Sequence, residues 1–452
     1  FMSGKANEIA HFDLFFRKVP DKGGFAIFAG LSRMIELIKN ISFKDEDLEY
    51  LKTLGICDEF IDYLRDFKFE CDIWSVPEGT PVFPNEPVVK VRGPIVQAQL
   101  IETLLLVCMN HQSLVATKAN RLVRAAKGIA VAEFGTRRSN GFDMAFYGSR
   151  AAYIGGCVGT SGVVQGEKFG IPTMNTMIHS WVQMFESEYE AFCEYARQFP
   201  DNCSLVIDTY DTIRSGVPNA IKAFDTVLKP MGRRPLSVRI DSGDITYLSK
   251  KARKMLDEAG FEDCKIVVSN SLDEYLIADL LHQGAQIDMF GVGERLITAS
   301  SQPVFGGVYK LTAVEKNGEI IPKIKLSENA GKVTNPDFKA VWRLFDNVSG
   351  KAIADVLTCA DEVIDDTKPY EIFDPEHPYK RKLLVNFTAK KLLVPVFEKG
   401  SCVYEIPTVS QMRDYCAEQV NKLWSEVRRF DNPHEYYVDL SQKLWDKKNA
   451  LL

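Results

Sequence analysis

Two adjacent arginines, Arg137 and Arg138, lie in the stretch Glu133–Trp181 with two loops rich in Gly and Thr and with His179, one of six histidines. Guanidinium pairs grip phosphate or carboxylate through rigid bidentate donors. Glycines let backbone N–H groups close on an anion with no Cβ in the way. An imidazole just beyond such loops can act as nucleophile or general base. Asp208, after the next apolar run, can orient that imidazole; without such a partner His179 would read as an ordinary core histidine. Further on, Arg239-Ile240-Asp241-Ser242-Gly243-Asp244 leaves a short strand. Its carboxylates suit ribose hydroxyls or Mg²⁺ and its arginine suits an anion; a strand-end ion pair with an Asp cap fits the same spacing. Gly291-Val292-Gly293 reads as a phosphate cradle opening toward a helix, or as glycines serving only a turn. Ser269-Asn270-Ser271, with Asp273 and Glu274 behind, suits a helix cap with an acidic first turn. These residues point to chemistry on an anionic, phosphorylated small molecule.

Composition narrows the class. At 452 residues the chain exceeds what one core usually serves, so two or three lobes are expected. A net charge of -6 argues against nucleic acid or an anionic membrane as the main partner, and leaves room for a local basic pocket. No run of 18 apolar residues occurs, and Glu102 interrupts the stretch Leu100–Cys108. No basic segment followed by an apolar one marks a secretion signal. Ten cysteines without any Cys-x-x-Cys, and no His-x-x-x-His, fit reduced thiols in a cytoplasmic enzyme rather than a zinc site or disulfide frame. The chain opens on Phe1 rather than Met, so an upstream piece is expected.

The elements that must hold these residues follow from periodicity. His11–Pro20 and Gly23–Leu31 read as strands; Ser32–Asn40, Asp45–Leu54 and Asp58–Leu64 read as helices, with Asp45 and Asp58 as caps. Apolar residues recur at helical spacing from Val96 to Cys108. Ser113–Lys127 is the clearest amphipathic helix: Val115, Ala119, Leu122 and Ala126 form its stripe, and Lys118, Arg121 and Arg124 form a solvated face. Then short strands alternate with polar loops at Leu205–Ile207, Val238–Ile240, Ile266–Val268 and Ile287–Phe290, with a helix at Thr246–Ala259. That rhythm predicts parallel βα units closing into a barrel, with chemistry at the C-terminal strand ends. From Pro303 strands return, with Asn317-Gly318 as a hairpin turn; from Pro407 the chain is charged and helical, with Trp424 and Trp445. The expected fold is α/β: an irregular βα barrel over residues 113–302 carrying the site, a mixed α/β lobe over 1–112 completed by strands from 303–400, and C-terminal strands with a helical appendage to 452.

The motifs FDLFFRKVPDKGGFAIFAGL, EFGTRR, SRAAYIGG, GTSGV, FGIPTMNTMIHSWVQMF, VRIDSGD, SNSLDE and FGVGERLIT, in that order from Phe12 to about Leu311, closely resemble the nicotinate phosphoribosyltransferase family. The resemblance implies formation of nicotinate mononucleotide and pyrophosphate from nicotinate and phosphoribosyl pyrophosphate (PRPP) in NAD salvage. ATP is the co-substrate, Mg²⁺ its companion, and no organic cofactor is tightly bound. It implies that His179 is phosphorylated by ATP and later dephosphorylated, with Asp208, Arg239 and Asp241 completing the catalytic set. Arg137, Phe134, Thr176, Ser161 and Ser180 would meet nicotinate. Arg138, Arg239, Asp241, Ser242, Gly243, Asn270, Gly291, Gly293 and Thr298 would meet PRPP and its phosphates, and Mg²⁺ would be met through Asp241 or Asp244. Ser161 stands where related nicotinamide-using enzymes carry an aspartate, and a carboxylate there would repel the acid. The family is also similar in forming homodimers with the active site at the subunit interface, where a tyrosine from a Thr-Asp-x-Tyr segment stacks on the pyridine; that segment would lie upstream of Phe1. Many relatives have Thr where this chain has Glu294. A nicotinamide phosphoribosyltransferase and a non-catalytic PRPP or nucleotide sensor are the alternatives. An aldolase or isomerase barrel would need a Schiff-base lysine or an acid/base pair at the strand ends, and none stands out.

Overall fold

The computed structural model describes residues 1–174, 176–328 and 332–452. The chain divides into one unit of residues 1–114 with 304–452 and a second of residues 115–303.

In the first unit, strand Ile9–Phe16 is buried from Ala10 onward and pairs antiparallel on both sides, with Val89–Pro94 and with Gly307–Lys316. These are the middle of a seven-stranded sheet that also takes in Asp72–Ser75, Glu319–Pro322, Val394–Glu398 and Ser401–Cys402. The expected hairpin forms: Lys316 faces Glu319 across Asn317 and Gly318, whose φ angles of 54° and 81° are those a two-residue turn needs. Helices Leu31–Lys39, Asp45–Thr53 and Asp58–Arg65 occupy the expected stretches. Asp45 and Asp58, however, are the first helical residues rather than the caps, which are Lys44 and Cys57. Their carboxylates therefore act on the positive helix end and do not replace a missing backbone bond.

The last 45 residues are not a purely helical appendage. Tyr437–Leu440 lies parallel to Ala352–Cys359 at the edge of a four-stranded sheet, between helices Val409–Asn421 and Gln442–Asn449. Leu440 and Leu444 pack there on Leu357 and Cys359. All ten cysteines are free thiols.

The second unit is built on five parallel strands in the order Ala130–Glu133, Met289–Val292, Lys265–Val268, Ser237–Ile240, Ser204–Val206. Three coincide with the expected strands to within one residue at each end. The fourth runs Met289–Val292 rather than Ile287–Phe290, because Gly291 and Val292 pair with Ala132 and Glu133. Backbone bridges continue past one edge, from Glu133 to Thr160 and from Thr160 to Thr173. Each polar loop singled out above leaves the C-terminal end of one of these strands.

The helix expected at 113–127 is longer, Glu102–Ala125, and the boundary between the units falls within it. The stretch Ile95–Ala125 is long and apolar enough to cross a membrane by length and composition, yet 56% of its most apolar window is buried inside the protein, as in a core helix. Lys118 and Arg121 do not face solvent as expected. Both are buried on Glu274, at 2.7 and 3.0 Å. Burial alone would push that carboxyl up, but the two cations hold it below the usual range.

Candidate active site

Alternation along Ser237–Ile240 sends Val238 and Ile240 into the core and turns Arg239 to the other face. Arg239 spends its donors on three neighbours. Nε donates to Ser269 Oγ at 2.9 Å, Nη1 to Thr176 Oγ1 at 2.9 Å, and Nη2 lies 3.0 Å from Asp241 Oδ2. The Ser269 hydroxyl donates in turn to Asp241 Oδ1. Partial burial pushes the Asp241 carboxyl up, but Arg239 and Ser269 outweigh it and hold it below the ordinary aspartate range.

His179 opens the short helix His179–Gln183, 39% exposed at its side chain. Nδ1 is 3.1 Å from Thr209 Oγ1; Nε2 is 3.7 Å from Asp241 Oδ2 and 4.0 Å from Asp208 Oδ1. Asp208 is 2% exposed at its side chain. Its Oδ2 accepts from the Asp241 backbone N–H at 2.8 Å and from Ser242 Oγ at 2.7 Å, whereas Oδ1 has no hydrogen-bond partner among the described residues. A buried carboxylate oxygen left without a donor is costly. Here the unanswered oxygen is the one nearest the imidazole. Carboxylates on the Nε2 side favour the proton on that nitrogen, so Nδ1 keeps its lone pair and accepts from Thr209.

A second group sits at the ends of the two neighbouring strands. Glu133, fully buried, ties the loop Gly135–Arg138 to Thr160 and Ser149. Ser161 Oγ lies 3.3 Å from Thr136 Oγ1. The Phe134 ring covers Gly291 so closely that a Cβ there would stand 2.3 Å from a ring carbon. Gly291 is thus required for packing under Phe134, whereas Gly293 has nothing closer than 3.4 Å over its missing Cβ. Arg138 is exposed and 3.5 Å from Glu294. Arg137 is exposed on the same turn and pairs with nothing among the described residues. The backbone bridges from Glu133 through Thr160 to Thr173 link this group to the segment holding Thr176.

The other residues singled out earlier are nearby but differently engaged. Thr298 turns its hydroxyl onto the Glu294 carbonyl at 2.7 Å. Asp244 caps helix Ile245–Glu258 by accepting from Tyr247 N at 3.0 Å, which leaves Asp241 the better placed carboxylate for a cation. Asn270 and Gly243 take positive φ, 105° and 80°, and Ser180 is exposed. Among the described residues no three His, Cys, Asp or Glu side chains form a metal-holding group. Mg²⁺ carried on phosphate oxygens needs only one or two carboxylates, and Asp241 would be one that could meet it.

Sequence reasoning missed Thr209, Glu133 and the side chain of Ser269, which had been read as a helix cap. The signal for Ser269 was its position at a strand end, shared with Asp241. A cavity of 620 Å³ in the other unit, lined by Trp424, His434, Tyr436, Tyr437 and Leu384 among others, gathers no comparable chemistry.

Residues 1–110, 129–347 and 338–448 match, respectively, the N-terminal domain, the family and the C-terminal domain descriptions of nicotinate phosphoribosyltransferase. The chain is 46% identical over 442 residues to the nicotinate phosphoribosyltransferase of Bacillus subtilis, covering 97% of this chain and 89% of that protein. It is 36% identical to that of Dictyostelium discoideum, covering 98% and 84%. The crystal structure of human nicotinic acid phosphoribosyltransferase superposes with a TM-score of 0.88 at 29% identity, covering 100% of this chain and 97% of the human one.

Proposed function

This chain belongs to the nicotinate phosphoribosyltransferase family, an enzyme family of NAD biosynthesis, and from that premise we propose that it couples nicotinate transfer to ATP through His179. In the first step the Nδ1 lone pair forms a bond to the γ-phosphorus of ATP as the bond to the bridging oxygen breaks and ADP leaves. The acids on the other side stabilise the positive charge that the ring acquires. In the second step the pyridine nitrogen forms its bond to C1 of the PRPP ribose as the C1–O bond breaks and pyrophosphate leaves with the electron pair. Water then takes the phosphoryl group from the imidazole.

Positive charge develops on the sugar during transfer, and Asp241, ionised under the hold of Arg239, is the carboxylate offered to it. Arg239 and Thr176 would meet nicotinate on the same side, with Arg137, Phe134, Ser161 and Ser180 around it. Arg138, Ser242, Gly243, Asn270, Gly293 and Thr298 would meet PRPP, Gly291 serving through Phe134. Mg²⁺ arriving on phosphate oxygens would be met by Asp241 and would neutralise the leaving pyrophosphate.

The unpartnered Asp208 oxygen facing His179 is the observation that carries this reading. The test is incubation with labelled ATP and Mg²⁺ and detection of acid-labile phosphate. Wild type should hold it and His179→Ala should not; equal signal in both overturns the role of His179. Offering nicotinate and nicotinamide separately tests the acid over the amide, which Ser161 favours.

Two further features belong to the same reading. The five parallel strands form part of an irregular βα barrel, the bridges at Thr160 and Thr173 and the Met177 N to Ser204 O bond at 3.3 Å supporting closure. The enzyme works in the cytoplasm as a homodimer whose interface covers the site. Support for the dimer comes from Phe142 and Met184, 97% and 84% exposed, with Val163, Val164 and Ile178, all on segments next to the site loops.

A further inference from the structure

Glu133 ends the strand Ala130–Glu133, and no solvent reaches it. Four donors converge on its carboxylate. The Gly135 N–H reaches Oε1, and the hydroxyls of Thr160, Ser149 and Thr136 reach Oε2 at 2.6, 2.9 and 3.2 Å. A carboxylate oxygen accepts, so the Thr160 and Thr136 hydroxyls turn their protons inward and present their lone pairs to what lies beyond, whereas the Ser149 proton is shared with the Ala145 carbonyl at 3.0 Å.

What lies beyond are the two loops around the pyridine. Thr160 Oγ1, its proton on Glu133, accepts from Gly162 N at 3.0 Å. Thr136 Oγ1, its proton also on Glu133, accepts from Ser161 Oγ at 3.3 Å. The Glu133 backbone carbonyl takes the Ser161 N–H at 2.8 Å, and its N–H bonds the Gly159 carbonyl at 2.9 Å. Ser161 is therefore held from the main chain by one bond to Glu133 and from the side chain by a relay to it. Gly135 and Thr136 are held directly, and Arg137 follows them on the same turn.

We propose that Glu133 is a positioning residue for recognition of the pyridine carboxylate, setting the separation of Arg137 from Ser161 by orienting both loops onto one buried anion. The proposal rests on the nicotinate-site reading of those two residues. It extends that reading by assigning acid-over-amide preference to a side chain that touches neither pyridine. Buried networks of this kind hold one geometry when every member is satisfied, and misplacement of a binding group by about 1 Å can cost up to about 100-fold.

Replacement by glutamine keeps the shape but turns two acceptors into one acceptor and a donor, so an amide N–H confronts hydroxyls that had pointed inward. Thr160→Val removes one relay from outside and leaves Gly162 N–H without an acceptor. In both Glu133→Gln and Thr160→Val, KM for nicotinate should rise roughly tenfold and the preference for nicotinate over nicotinamide should fall by a similar factor. KM for PRPP and the amount of acid-labile phosphate taken from ATP in the absence of nicotinate should stay within about threefold. A purely structural role would lower the active fraction, and hence kcat, with KM and preference unchanged; that result in Thr160→Val overturns the proposal even if Glu133→Gln fails to fold. Failure of the wild type to use nicotinate would instead overturn the functional reading, so the two are told apart.

Discussion

An arginine grips an aspartate in each unit, and the two pairs are finished differently. In the first unit, Arg343 holds Asp355 by two bonds, at 2.8 and 2.6 Å, with Tyr436 adding its hydroxyl at 3.0 Å and the Pro81 carbonyl taking a further guanidinium proton at 2.9 Å. Both partners are sealed from water and rest among Phe83 and Tyr436, stacked 3.8 Å apart. Burial and the facing Asp355 push the nearby Glu86 well above the ordinary carboxyl range. In the second unit, Arg239 gives Asp241 a single contact at 3.0 Å and divides the rest between Ser269 and Thr176. Asp241 is 26% exposed at its side chain, and Asp208 beside it keeps an oxygen without a donor among the described residues. The same two residue types thus make a closed structural tie and an open site. The difference lies in how many of their bonds are made within the protein.

The contrast can be broken most severely at its closed side. Arg343→Ala should cost about 3–5 kcal/mol of stability in chemical denaturation, because Asp355 is left buried and uncompensated, while turnover per folded molecule is unchanged. At the open side the balance reverses. Asp241→Asn should lower kcat by about 10²–10³-fold, or about 2.7–4 kcal/mol of transition-state stabilisation, with a smaller loss of stability than Arg343→Ala. Ser161→Asp should weaken nicotinate binding by ~1–3 kcal/mol through like charge, read as KM or by calorimetry; unchanged affinity would remove Ser161 from the site.

The carboxyls should also respond to pH with opposite sign. Asp241 is held low, so its contribution to stability is present above the unfolded aspartate range and is lost as pH falls through its folded value. Glu86 is held high, so its contribution is present below the unfolded glutamate range and is lost as pH rises toward its folded value. Glu86→Gln should therefore gain on wild type as pH rises above about 4.5, by up to about 1.4 kcal/mol per pH unit in that window, in denaturation curves taken across it. Smallest of all, Glu294→Gln should change stability by less than about 1 kcal/mol, since its 3.5 Å pair with Arg138 is more than half exposed.

The open site was more legible in the sequence than the closed tie. Strand ends followed by Arg-x-Asp-Ser-Gly or Gly-x-Gly are local signals, and parallel pairing brings every such end to one edge, so His179, Asp208, Arg239 and Asp241 meet as their positions suggested. Arg343 and Asp355 gave no comparable warning, since each sits inside a largely buried strand with no loop signal beside it. Lys118 and Arg121 were misread for a related reason: periodicity says which side of a helix they occupy, but their partner Glu274 is about 150 residues away. The strand Tyr437–Leu440 escaped because four residues flanked by charge carry too short a pattern, and the strand it pairs with, Ala352–Cys359, is remote in sequence. Thr209 next to His179 is a single hydroxyl with no spacing to betray it.

The lone Asp208 oxygen has a consequence for anyone improving this protein by selection. Screens that reward heat resistance alone should enrich Asp208→Asn, because a neutral amide is cheaper to bury than a carboxylate whose Oδ1 has no donor among the described residues, and the survivors would be sturdier and inert. Durability and turnover draw on the same atom there, so a library scored on only one of them will drift away from the other.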